Sequence, residues 1–177
     1  MEDPVIQETR DWLEKAVIGL NLCPFAKPVH VAGRIRYAVS RAETPKALLA
    51  DLLAELRTLA AADPEDIETT LLIHPRVLAD FLDFNDFLGV ADDALEHLCL
   101  VGEIQIASFH PRYQFEGTDP DDIENYTNRS PYPTLHLLRE ASVEQAVASF
   151  PDTDRIYRAN IETLRKLGLE GWKRLLR

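Results

Sequence analysis

Two tripeptides with chemical potential recur in this sequence. Leu72-Ile73-His74-Pro75-Arg76 and Ser108-Phe109-His110-Pro111-Arg112 both place an imidazole and a guanidinium around a proline that follows an apolar run. The residue before proline is held extended, which aims both histidine side chains reproducibly. Imidazole titrates near neutrality, so His110 and His74 are the candidates for general acid or base. A third group is Asn128-Arg129-Ser130, an amide, a planar guanidinium and a hydroxyl in succession between Tyr126 and Tyr132. Such a donor-rich run suits a carboxylate or phosphate, with Arg112 and Arg139 placed to help neutralise it. Asn and Ser before proline are also ordinary turn formers. His136 alternates with Leu135 and Leu137, so it points away from them, toward a second layer or into a cleft.

Other chemistries fit less well. Cys23 invites a nucleophile reading with Asn125 or Asn128 as orienter, but it follows the C-terminal end of a helix, whose dipole raises a thiol pKa. Cys99 sits between Leu98 and Leu100 and is expected in the core. His74, His110 and His136, with Cys23, would make a metal site only if the fold converged them, because no local His-x-x-x-His spacing supports one. In the acidic stretch Glu116–Glu124, Ile123 and the lack of a glycine in register spoil a calcium loop; a short helix capped near Thr118 and Pro120 is expected instead. Glycine-rich phosphate loops and nucleotide-binding fingerprints are absent, and the sequence leaves any cofactor unknown.

The elements that must position these residues follow from periodicity. Residues 4–21 carry Ile6, Leu13, Val17 and Leu20 at helical spacing, and Pro24 and Pro28 stop that helix. Residues 34–40 alternate as a half-buried strand. Thr44-Pro45 opens a helix through Leu48, Leu52, Leu56 and Leu59. Thr70–Ile73 reads as a central strand, 77–98 as a helix that Gly89 divides, 103–109 and 134–139 as strands. Ser142-x-x-Gln145 resembles a capping box opening a helix that ends near Pro151, and a last helix runs from about Asp154 to a left-handed stop at Gly168.

The order αβαβαββαα predicts an α/β fold (α+β, two-layer), a small mixed sheet of about four strands packed with helices, in one domain over 1–177. If the second and third strands run the same way, both His-Pro-Arg motifs lie at one sheet edge, where open α/β sheets place ligands. The connection from Arg112 to Pro133 is long enough to suggest function.

Composition bounds the partners. With 19 Lys+Arg against 30 Asp+Glu the net charge is −11, which argues against a general nucleic-acid surface. The basic run from Arg155 to Arg177 reads as a solvated helix face. No long apolar run suggests a membrane span, and Met1-Glu2-Asp3-Pro4 does not look like a signal peptide, so a cytoplasmic location is expected. Two widely spaced cysteines fit reduced thiols.

Leu20-Asn21-Leu22-Cys23-Pro24-Phe25-Ala26, then Phe109-His110-Pro111-x-Tyr113-x-Phe115, then Thr127-Asn128-Arg129-Ser130-Pro131-Tyr132-Pro133-x-x-His136-Leu137-Leu138-Arg139-Glu140 together resemble the bacterial family known as domain of unknown function 1415. The resemblance implies a bacterial cytoplasmic protein and assigns no reaction to any residue. The expectation from the residues is a small enzyme or binding protein for an anionic molecule at the carboxyl edge of the sheet. The alternatives are a non-catalytic interaction protein, with Trp12 and Trp172 exposed at its interface, and a histidine-based metal binder.

Overall fold

Every residue of Thr69–Ile73, strand β2, is buried, because its apolar run offers no polar face and must be covered on both sides. The computed structural model describes residues 3–177 and places β2 inside a four-stranded sheet. Ile35–Val39 (β1) pairs with it in parallel, while Thr134–Arg139 (β4) runs antiparallel between β2 and Ile104–Phe109 (β3), giving the order β1-β2-β4-β3. Since β2 and β3 are both antiparallel to β4, they point the same way and end at the same edge. The α/β class and the mixed sheet therefore stand.

Helices cover both faces, making three layers where two were expected. On one face α3 (Pro45–Ala61) contributes Leu48, Leu52, Leu56 and Leu59, and α4 (Phe81–His97) contributes Phe84, Phe87 and Ala91, against Leu72, Leu135 and Leu137 of the strands. Thr44 caps α3 by accepting from the Ala47 amide, as its sequence predicts. The opposite face packs Trp12, Leu13, Ala16 and Val17 with Leu164 and Trp172, against Ile35, Tyr37 and Phe109. These residues come from α1 (Pro4–Trp12), its π-helical continuation Leu13–Ile18, and α6 (Thr153–Leu175).

Several local readings are corrected. The segment before α4 is a turn, because Asp80 accepts from the Leu82 and Asp83 amides and starts the helix there, and Gly89 does not interrupt it. A short helix, α2 (Ala26–Val31), forms where prolines suggested only a stop; Pro28 lies in its first turn, where no intrahelical N–H is needed. Helix α5 (Glu140–Ser149) follows β4 directly, so Ser142 lies inside it and is not its cap. Ile123–Asn128 is a 3-10 helix, and Thr118, rather than capping it, donates to the Phe115 carbonyl. Gly168 does adopt the left-handed conformation (φ 67°) and kinks α6. Cys99 is exposed at a turn with φ 56°, because the chain reverses after α4 before Leu100 re-enters the core. Trp12 and Trp172 are buried, at 2% and 6% exposure, and edge onto Phe109 and Tyr126, so they offer no exposed aromatic interface. The basic residues Arg158, Arg165, Lys166, Lys173 and Arg174 are exposed on α6, as expected of a solvated face. No helix among the described residues is long and apolar enough to cross a membrane.

Candidate functional site

Parallel β2 and β3 do bring His74 and His110 to one edge of the sheet, and both rings pack on Phe84, with centroids 5.8 and 4.9 Å away. Both are wholly buried. The carbonyl of Val77 can only accept, so His74 Nδ1 donates to it at 3.1 Å. His110 Nδ1 accepts the Arg112 amide at 3.0 Å, so its Nε2 carries the hydrogen and donates to the Leu78 carbonyl, also at 3.0 Å. Two neutral imidazoles thus hold successive carbonyls of the turn after β2, where Leu78 sits at φ 61°. Burial pushes the His74 pKa down to about 4 and lowers that of His110. His74 Nε2 is buried with no partner. The expected catalytic pair is sealed behind Phe81 and Phe84 and works as an internal brace.

The expected anion cradle is likewise occupied from within. Arg129 donates from Nε to the Tyr113 carbonyl (3.0 Å) and from Nη2 to that of Pro120 (2.6 Å), and its guanidinium lies over the Tyr126 ring, 4.4 Å from the centroid. Asn128 donates to the Ser108 carbonyl and Ser130 to that of Tyr132. Asn125, fully buried, completes this framework by accepting from the Phe115 amide while donating to the Asp119 carbonyl. A long loop must satisfy its own backbone, and these polar side chains do so. Arg139 is at the opposite edge of the sheet, because antiparallel β4 ends there. Its Nη2 donates to the carbonyls of Leu59 and Ala62, each at 2.9 Å, and its Nε to that of Ile67 at 3.2 Å, and so the side chain closes the C-terminal end of α3. Of the expected anion ligands, Arg112 alone remains exposed at the edge.

His136 is elsewhere. Its register opposite Leu71 and Ala107 puts it on the other face of the sheet from His74 and His110, so the three histidines do not converge. No cluster of three metal-ligating side chains exists among the described residues. His136 instead forms part of the floor of a cleft of about 540 Å³, bounded by Trp12, Leu13 and Val17, by Cys23 to Val29, and by α5 from Ser142 to Ser149. Ile35, Leu71, Phe109 and Leu138 complete an apolar floor. This size and lining are those of small-molecule sites.

Among the polar side chains of the cleft, Arg34, Glu68, Thr69, His136 and Ser149 are engaged within the fold, and Gln105, Ser142 and Gln145 also line it. Thr69 donates its hydroxyl to the Leu137 carbonyl at 2.7 Å, so its oxygen accepts from His136 Nε2, also at 2.7 Å. That pairing fixes the His136 tautomer: Nε2 carries the hydrogen and Nδ1 the lone pair. Desolvation lowers the ring's pKa to about 4, leaving it neutral at physiological pH. Arg34, at the cleft wall, is paired with Glu65 and lies 3.8 Å from Glu68. Cys23 also lines the cleft, and burial pushes its thiol pKa up, which removes it as a ready nucleophile. Alternation on β4 already put His136 toward a cleft; Trp12, Thr69 and the α5 wall escaped sequence reasoning because nothing local in those segments signals a cavity.

No curated protein matches this chain, and neither does any solved structure. The family profile described as "Protein of unknown function (DUF1415)" matches residues 4–174, nearly the whole chain that folds around this cleft. The chain therefore belongs to that family.

Proposed function

We propose that this protein binds a small organic molecule with a largely apolar body in the cleft between the sheet and helices α1, α2 and α5. The observation that carries this reading is the cleft itself, about 540 Å³ over an apolar floor that includes one ring with an accessible nitrogen, His136. Burying such a surface against a ligand releases water from Leu13, Val17, Leu71 and Phe109, which drives binding, while the polar groups set orientation. A phosphate- or carboxylate-bearing molecule held by Asn128, Arg129 and Ser130 is less well supported, since all three donate to main-chain carbonyls of the loop and of β3.

The test is thermal unfolding of the purified protein against a panel of amphipathic small molecules, with Ala146→Trp as control. Ala146 lines the cleft on α5, so the indole fills it. A compound at one hundred times its Kd adds about 2.7 kcal/mol, or several degrees for a chain of this size. The expected result is a raised midpoint that Ala146→Trp abolishes. No response across the panel, or a response that Ala146→Trp leaves unchanged, refutes the reading.

A further inference from the structure

We infer that the ligand of the cleft is an uncharged molecule carrying a hydrogen-bond donor, a hydroxyl in the simplest case, that seats on His136 Nδ1. The inference rests on the cleft being the binding site and adds the chemistry of the occupant. It follows from the hydrogen bonds beneath the cleft rather than from its shape.

The Leu137 carbonyl has no hydrogen to give, so Thr69 must donate to it, and His136 must donate to Thr69. This relay leaves Nδ1 as a pure acceptor. It has no hydrogen-bond partner among the described residues, yet unlike His74 Nε2 it is not sealed from solvent. Because His136 lines the cleft, the space that reaches Nδ1 is the cleft. A ligand group placed there must bring a hydrogen of its own. A hydroxyl or N–H does so; an ether oxygen or a carboxylate sets lone pair against lone pair.

Charge points the same way. Among the described residues that line the cleft the one arginine is Arg34, paired with Glu65 and Glu68, and Glu68 itself contributes to the wall. An anion entering the cleft finds no uncommitted cation and a carboxylate nearby, so it keeps most of its desolvation cost. The burial that holds His136 neutral removes the remaining source of positive charge. The side chains of Trp12, Phe109, Leu71 and Leu138 suit an apolar body.

The experiment compares 2-naphthol, 2-methoxynaphthalene and 2-naphthoate, which share one ring system and differ in presenting a donor, an acceptor only, or a charge. Binding is measured by equilibrium dialysis read through naphthalene fluorescence at pH 7.5. The expected order is naphthol, then the methyl ether about five- to tenfold weaker, then naphthoate weaker still, the first gap being that of one neutral hydrogen bond. Thr69→Val frees Nε2 and lets the ring take either tautomer, so the preference for naphthol over the ether shrinks toward unity; circular dichroism verifies that the variant is folded. If the ether binds as tightly as naphthol, or naphthoate binds best, the inference is overturned while the cleft remains a binding site. If naphthol and the ether bind wild type but equally well to Ala146→Trp, they bind elsewhere and the underlying reading fails too. If none of the three binds, the inference also falls, and the panel result with Ala146→Trp decides separately whether the cleft binds anything.

Discussion

Lowering the pH from 7.5 to 5 will destabilise this protein well before its carboxylates are neutralised, and the size of the effect follows from two rings. His74 and His136 are neutral in the fold, each with its pKa pushed from 6.5 to about 4. The unfolded chain binds protons on these rings below 6.5, the folded chain only near 4. Stability is therefore fully present above pH 6.5 and is lost as pH falls toward 4. At pH 5 the unfolded imidazoles are almost wholly protonated and the folded ones almost wholly neutral, a difference of about 2 kcal/mol for each ring and about 4 kcal/mol for the pair. His110, lowered by its own burial, acts in the same direction. Against a total stability of roughly 5–15 kcal/mol this is a large loss. Urea unfolding followed by circular dichroism at pH 7.5, 6.5, 5.8 and 5.0 reads it: with a slope of about 2 kcal/mol/M the midpoint drops by roughly 2 M. His74→Leu with His136→Leu lowers stability at pH 7.5 by breaking the bonds to Val77 and Thr69, but flattens the pH dependence. A wild-type midpoint that stays constant from 7.5 to 5.0, or a slope undiminished in the double variant, refutes the assignment of buried neutral histidines.

Arg139→Met leaves the carbonyls of Leu59, Ala62 and Ile67 without their donor and should cost about 2–3 kcal/mol in urea unfolding, the range for unsatisfied buried groups; a loss under 0.5 kcal/mol would show that water replaces the guanidinium. Asn125→Ala removes two bonds within the loop, and hydrogen exchange at the amide of Phe115 should speed up at least tenfold while amides of β2 stay protected. Phe84→Ala, at a site with no solvent exposure between two histidines, should cost about 3–5 kcal/mol. Iodoacetamide should label exposed Cys99 before Cys23, whose thiol is half-buried and raised in pKa, and a cleft ligand should slow the second event only.

The strands and the long helices were legible because each depends on a pattern carried within the segment. β4 begins and ends where alternation places it, and α3 starts at Thr44 because its cap and proline are adjacent in sequence. The shared edge of His74 and His110 was legible too, since same-direction strands ending in the same tripeptide must deliver their histidines together. Their chemistry was not. A histidine before proline is aimed reproducibly, but whether it is aimed outward depends on what packs over it, and here Phe81 and Phe84 arrive from α4. Asn128, Arg129 and Ser130 are engaged for a related reason: donor richness marks a ligand site only when the donors exceed the carbonyls around them, and here carbonyls of the loop and of β3 claim one bond or more from each.

The cleft was hidden because none of its walls is contiguous. Thr69 and His136 are far apart in sequence and meet through the antiparallel pairing of β2 with β4, where Thr69 opposes Leu138 and Leu71 opposes His136. A slip of one residue in that register would turn His136 to the α3–α4 face and put Leu135 and Leu137 over the cleft. What holds the register is the burial of those two leucines, each without solvent exposure, against Leu72 and α3. The apolar residues of β4 therefore decide where its one polar ring points. That dependence makes Leu135 and Leu137 determinants of the cleft although neither lines it. Shortening either should loosen the Thr69–His136 bond across the sheet before it changes any residue that a ligand touches.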